Sequence, residues 1–234
     1  MATLQDMITQ VRLRTDTVGS QHITETELIS YLNYGCSEVY GMIINSFEGY
    51  FVNTIQFTLT PSDDGYTLPT DFFKEFRFDK SYTGVASSLD WQRLPLVNPK
   101  DEASYNANPT RAYWLPTVRG YMMYGNRIKP VPTCDIAGVY RLLYFPTFTE
   151  LVNLADVVQL GPTSMHWEEY GILHACICVA LKEESEPTGF ILQKTKLEKR
   201  IQDEAANRNS EADPPPTAGG WNRFMMYNNN GGVW

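Results

Sequence analysis

The sequence lacks the features that mark an enzyme, a transmembrane protein or a protein that grips nucleic acid. It contains no phosphate-binding loop, no nucleophile elbow and no H-E-x-x-H pair of metal-binding histidines. No stretch approaches the roughly 18 apolar residues that a membrane-spanning helix requires. The formal net charge is -8, so a basic face for the phosphate backbone of DNA is not expected. We therefore predict no catalytic residues, no cofactor and no membrane association.

Cysteine is also scarce. The four cysteines, Cys36, Cys134, Cys176 and Cys178, do not have the spacing of a disulfide-stapled domain. The N-terminal residues have the pattern of an amphipathic helix and lack the apolar region of a signal peptide. We therefore expect reduced thiols and a protein made in a reducing cytoplasm.

The remaining composition is that of an ordinary globular protein, with 43% hydrophobic and 20% charged residues. Helical periodicity predicts a first helix over Leu4–Arg14. A second helix is predicted after Thr24 and Glu27, which have the spacing of a capping box. Ile23 and Leu28 occupy the positions of the hydrophobic staple that accompanies such a box. The chain therefore opens with two helices.

After Tyr50 the apolar pattern changes to alternation, which is typical of β-strands. "FVNTIQFTLT" predicts a strand, and "PSDDGYTLP" predicts a turn at Asp64-Gly65 followed by a return strand. "GYMMYGNRIKPVP" predicts a hairpin that turns at Gly125-Asn126. Further strands are predicted near Glu75–Asp79, Asp90–Leu94 and Ala112–Leu115, and in "GVYRLLYFP".

Two helices follow the β region. "ILHACICVAL" is apolar on every face except at His174, which is typical of a helix in a core. The last helix is predicted over about 187–208, and its predicted buried face consists of Phe190, Leu197, Ile201 and Ala205. The predicted fold is therefore α+β. Residues 1–48 and 160–210 form a small helical bundle, residues 49–159 form an inserted antiparallel β region, and residues 211–234 form an extended C-terminal arm.

His174 and Cys178 are four residues apart, a spacing that places two metal ligands on one helix face. Two ligands do not complete a zinc site, and buried structural thiols are the favoured interpretation. Two carboxylate pairs, Asp63-Asp64 and Glu168-Glu169, are interpreted as turn chemistry and as a favourable charge at a helix N-terminus. The sequence therefore predicts no metal site and no acid–base pair.

The C-terminal segment "GGWNRFMMYNNNGGVW", residues 219–234, is aromatic and almost uncharged. Two interpretations stay open: plain disorder at a terminus, or an arm that becomes ordered on a partner. The second interpretation rests on large apolar side chains that can anchor in a partner's pockets. The candidate binding residues of the arm are Trp221, Arg223, Phe224, Met225, Met226, Tyr227 and Trp234.

The order of several segments resembles a known family. They are "ITETELISYLNYGCSEVYGMI", "YTLPTDFFKEFRF", "GNRIKPVP" followed by "YRLLYFP", and "WEEYGILHACICVALKEES" followed by a long helix. Together they are similar to the head-to-tail adaptor (connector, head-completion) proteins of tailed bacteriophages, including the related tail-tube proteins of podoviruses. No segment is a catalytic signature.

The resemblance implies a structural protein of the virion neck, made in the host cytoplasm. It implies a homo-oligomeric ring, usually a dodecamer, which joins the portal protein to a downstream tail or nozzle protein. Double-stranded DNA would pass through the ring during ejection without specific binding. The resemblance also implies that the C-terminal arm reaches the portal. A non-enzymatic binding module, whose arm docks one soluble partner without a ring, is the alternative.

Overall fold

The computed structural model describes residues 2–19, 22–46, 49–60, 63–81, 83, 90–102, 120–131, 137–158, 160 and 166–207, and only the backbone of 205–207. These residues form an α+β fold with four α-helices and two antiparallel sheets, as the sequence predicted. The helices are α1 (Leu4–Arg14), α2 (Glu25–Ser46), α3 (Glu168–Lys182) and α4 (Thr188–Asn207). The strands are β1 (Asn53–Leu59), β2 (Tyr66–Thr67), β3 (Phe72–Ser81), β4 (Trp91–Leu94), β5 (Gly120–Tyr124), β6 (Arg127–Val131) and β7 (Gly138–Pro146).

Both N-terminal helices begin at reciprocal capping boxes. The Thr24 N–H donates to Glu27 Oε2 at 2.9 Å, and the Glu27 N–H donates to Thr24 Oγ1 at 3.3 Å. Thr3 and Asp6 make the same exchange at α1, with distances of 3.0 and 3.2 Å. Each box provides acceptors for two backbone N–H groups at the start of the helix that would otherwise bond only to water. The box at Thr24 was predicted and is confirmed.

The four helices pack on one another around an aliphatic core. α2 and α3 run in opposite directions, because Gly35 faces Gly171 at one level and Glu27 pairs with Lys182 at another. A Cβ atom on Gly35 would lie 2.9 Å from Gly171 Cα, so the two backbones approach closely at this crossing. α2 contributes a fully buried apolar stripe to this core, which consists of Leu28, Leu32, Cys36, Val39 and Ile43.

The larger sheet has the strand order β1-β7-β3-β4. β1 pairs with β7, with Ile55 opposite Leu142 and Leu59 opposite Gly138. The predicted hairpin between β1 and the strand after Gly65 is therefore wrong. That return strand is only the two-residue β2, which cannot cover the apolar face of the seven-residue β1. Gly65, at a φ of 104°, turns the chain away into the second sheet.

The smaller sheet has the order β2-β6-β5. β5 and β6 form the predicted hairpin, which is confirmed, with Tyr124 opposite Arg127. Gly125 lies in its turn at a φ of 53°, a conformation that glycine adopts without steric cost. The predicted strand near Ala112–Leu115 lies outside the described residues, as does the arm over 211–234.

Between the sheets lies a second, aromatic core. Phe78 and Tyr140 are fully buried and their rings stack with centroids 5.5 Å apart. Tyr121, which is 2% exposed, packs against Phe78 at 4.9 Å. Tyr144 of β7 still belongs to this aromatic core, whereas the following residue, Phe145, belongs to the helical core. β7 therefore connects the two cores.

A charged group is buried in the larger sheet. Asp79 is fully buried, and Arg77 Nε donates to its Oδ1 at 2.6 Å while Arg141 Nη2 donates to its Oδ2 at 2.6 Å. The Arg141 guanidinium also lies 4.5 Å from the centre of the Trp91 ring. The two cations compensate the carboxylate, as a buried charge requires, and the Trp91 ring stabilises the Arg141 cation. Among the described residues, no helix has both the length and the apolarity needed to cross a bilayer.

Candidate functional site

The binding residues predicted from the sequence lie beyond the part of the chain that the structure describes. They are Trp221, Arg223, Phe224, Met225, Met226, Tyr227 and Trp234. Their assignment to a partner-binding arm stays a prediction.

Within the described residues, the outer face of α2 carries an apolar groove of about 830 Å³. We call it the α2 groove. Three large hydrophobic side chains line it although they are mostly exposed: Tyr34 is 60%, Phe73 57% and Val152 70% exposed. They come from α2, from β3 and from the segment that follows β7. Clustered exposed apolar side chains of this kind mark surfaces that bind other molecules.

Hydrogen bonds hold the two walls of the α2 groove together. The Asn33 side-chain amide donates to the Leu151 carbonyl at 2.9 Å, and the Leu151 N–H donates to Asn33 Oδ1 at 2.9 Å. The Tyr40 hydroxyl donates to the Pro146 carbonyl at 2.7 Å. Burial raises the pKa of Tyr40 to about 12, so this hydroxyl keeps its proton at neutral pH. The groove is therefore formed before any ligand arrives.

The lining of the α2 groove is almost neutral. Among the described residues that line it, Glu150 is the one side chain charged at neutral pH. The hydroxyl side chains of Thr26, Ser30 and Ser37 are exposed along α2. Such a surface suits an apolar peptide that brings hydrogen-bonding groups and at most one cation.

Sequence reasoning did not find the α2 groove. The apolar spacing from Leu28 to Ile43 indicates only the inner, buried face of α2. The available signal was a second set of apolar residues on the same helix, Ile29 and Tyr34, outside that stripe. Because Phe73 and Val152 join them only in the folded chain, the sequence alone does not assemble the groove.

His174 and Cys178 of α3, which the sequence spacing places on one helix face, lie in a polar cluster between α2, α3 and α4. Cys178 Sγ is 3.5 Å from His174 Nε2, and Lys194 Nζ is 2.9 Å from His174 Nδ1. Glu38 Oε2 lies 2.9 Å from Lys194 Nζ. This ammonium lies on the Nδ1 side of the imidazole, opposite the Cys178 thiol on the Nε2 side. Among the residues that the structure describes, no group of three or more His, Cys, Asp or Glu side chains is placed to hold a metal.

This geometry corrects one expectation about His174. The sequence placed it in an apolar core, but its side chain is 15% exposed and lies among charged groups. Burial, and then the Lys194 charge, lower its pKa.

The carboxylate pairs have the structural roles that the sequence predicted. Asp63 Oδ2 accepts a hydrogen bond from the Thr60 N–H at 2.6 Å and stabilises the turn after β1. Glu169, in the first turn of α3, pairs with Arg14 at the end of α1, where Arg14 Nη2 lies 3.1 Å from Oε2. Neither pair converges on a common reacting atom.

Comparison with known families adds an independent finding. The model of the SU10 adaptor protein family matches residues 2–217. This range includes every residue that the structure describes and ends just before Gly219. No curated protein matches the chain at a significant level.

Proposed function

The chain belongs to the SU10 adaptor protein family, a family of phage head-to-tail adaptors, and on this premise we propose that it forms a ring in the neck of a phage virion. The family implies a structural role, association with portal and tail proteins, and a location in the virion neck. We propose that the ring is a dodecamer and that it encloses a DNA channel. The family match over residues 2–217 carries it.

The charge of the chain supports a channel that conducts DNA. At a net charge of -8 the subunit repels the phosphate backbone. A ring of such subunits lets double-stranded DNA pass during ejection without holding it. The portal lies on one side of the ring, and a tail or nozzle protein lies on the other.

The C-terminal arm is proposed to dock on the portal protein. Its aromatic residues, Trp221, Phe224, Tyr227 and Trp234, each offer roughly 150–250 Å² of burial. Arg223 supplies one charge, and Met225 and Met226 add side chains that adapt to irregular pockets. The prolines at 214–216 favour an extended spacer of about 3.1 Å per residue, which gives the arm reach.

The proposed role includes no catalysis. Within the described residues the nearest approach to a catalytic pair is His174 with Cys178. Burial raises the pKa of the Cys178 thiol, whereas a nucleophilic cysteine needs a lowered one. We expect assays for nuclease, peptidase and nucleotide hydrolysis to show no turnover.

Portal binding tests the proposal. The full chain should co-sediment with purified portal rings, and the Trp221→Ala/Trp234→Ala double variant should bind at least tenfold more weakly because two anchors are lost. The matched control is Leu96→Ala, which removes a side chain that is 60% exposed on the β region. Equal portal affinity of the double variant and the wild type would refute docking through the arm.

A further inference from the structure

We propose that the α2 groove binds the C-terminal segment 219–234 of its own chain before the subunit meets any partner. The α2 groove leaves Tyr34, Phe73 and Val152 largely exposed. Since the Asn33–Leu151 hydrogen bonds already fix its walls, an occupant loses little free energy to rearrangement of the groove. The inference concerns the isolated subunit and does not depend on portal docking.

The segment and the groove match in chemistry. Residues 219–234 carry four aromatic side chains and a single charge, that of Arg223. The α2 groove offers apolar side chains and, among its described lining residues, the single charge of Glu150. A cation and an anion that each stand alone on complementary apolar surfaces favour one orientation of the peptide. Backbone and asparagine amides of the segment can bond to the hydroxyls of Ser30 and Ser37.

The helix that precedes the segment in the chain, α4, ends within reach of the groove. α4 ends at Asn207, and its Glu204 Oε2 accepts a hydrogen bond from Trp167 Nε1 at 3.1 Å. From Trp167 a row of ring contacts leads to Tyr40 in the groove wall. The steps are Trp167 to Tyr50 at 5.8 Å, Tyr50 to Phe51 at 4.6 Å and Phe51 to Tyr40 at 4.7 Å.

The length of the intervening chain covers this path. The residues between Asn207 and Trp221 span on the order of 40 Å when extended, at about 3.3 Å per residue. A segment tethered at this range has an effective concentration of about millimolar at its own groove. The same chain therefore outcompetes a neighbouring copy at micromolar protein concentration. Until assembly, docking would cover both the α2 groove and the aromatic side chains of the segment.

Fluorine NMR of the full chain labelled with 5-fluorotryptophan tests this inference. Trp221→Phe and Trp234→Phe assign the two resonances of the segment, and a labelled synthetic peptide of residues 219–234 gives their free positions. In the wild type at least one resonance should be shifted from its free position. Phe73→Asp and Val152→Asp should each return it toward that position, because a charge enters the groove.

Leu96→Asp is the matched control, since Leu96 is as exposed as Tyr34 but lies outside the groove. It should leave the shifted resonance in place. Trp167, which is 1% exposed, reports that each variant is folded. The inference is overturned if both resonances of the segment stand at their free positions in the wild type, or if neither groove variant moves them. A shift that disappears on dilution would assign the occupant to another copy and would also overturn it. Portal is absent from these samples, so the result is separate from the portal-binding test.

Discussion

The helical core consists mostly of aliphatic side chains, whereas half of the described buried side chains in the core between the sheets are aromatic. Helices α1 and α2 begin at capping boxes formed by residues three apart in the chain. The larger sheet is instead closed by β1 and β7, which bring Asn53 opposite Tyr144. The helical region is therefore specified by residues that are neighbours in sequence. The larger sheet is specified by strands that pair only after a long loop has closed.

The two regions should differ in how much a single substitution lowers their stability. Helices α1 and α2 each bring their own start signal and apolar stripe, so a change at one cap leaves the rest of the pattern intact. The larger sheet depends on a central strand, β7, and on a carboxylate at Asp79 that two arginines must compensate. We therefore expect the largest effects of single substitutions in the sheet.

Phe78→Ala should have the largest effect on stability. Phe78 is fully buried and contacts Tyr121 and Tyr140, so its removal leaves a cavity in the aromatic core. We expect a loss of about 3–5 kcal/mol in the free energy of unfolding, measured by urea denaturation. Leu96→Ala, also in the β region but 60% exposed and outside the α2 groove, should change it by less than about 0.5 kcal/mol. A similar cost for both variants would show that the aromatic core does not determine the stability of the β region.

Asp79→Ala should have the next largest effect. It leaves Arg77 and Arg141 without the carboxylate that binds both, and we expect a loss of about 3 kcal/mol. The control is Asp64→Ala, whose carboxylate is 77% exposed and lies 3.3 Å from Lys129 Nζ. That surface pair should contribute about 0–1 kcal/mol. Thermal denaturation of both variants in 0.1 and 1 M salt would check this, and equal losses would contradict the role of burial.

Gly35→Ala should have a smaller effect in the helical region. The new Cβ would lie 2.8 Å from His174 Cβ and 2.9 Å from Gly171 Cα, so α2 and α3 must separate. We expect a loss of about 1–3 kcal/mol in the free energy of unfolding. Gly41→Ala, on the same helix with no atom within 4 Å of the new Cβ, should stabilise by about 0.5–1 kcal/mol. Chemical denaturation that gives the two variants the same sign would refute the close crossing.

The pH dependence at His174 should be the smallest effect. Its pKa in the folded chain is lowered from the usual 6.5 by burial and by Lys194. The unfolded chain therefore binds a proton first, and stability falls as pH drops through 6.5 and levels off below the folded pKa. The pH profile of unfolding between 7.5 and 5 should flatten in His174→Gln. An unchanged slope in that variant would show that His174 does not contribute.

Features formed by neighbours in sequence could be predicted, whereas features formed by distant parts of the chain could not. The box at Thr24 and the hairpin at Gly125 were predicted because all their determinants lie within a few residues. The pairing of β1 with β7 was missed because alternation identifies a strand but not its partner. The α2 groove was missed for the same reason, since Asn33 and Leu151 become neighbours only in the folded chain.

The most direct test of the adaptor role is electron microscopy of purified virions of the phage that encodes this chain. We expect a closed ring of this subunit between the portal and the tail. Its four helices and two sheets should fit each repeat, and density for the C-terminal arm should enter the portal. The ring-forming adaptor role would be contradicted by virions whose neck contains no copy of this chain. It would equally be contradicted by particles in which the chain occurs as a single bound subunit without a ring.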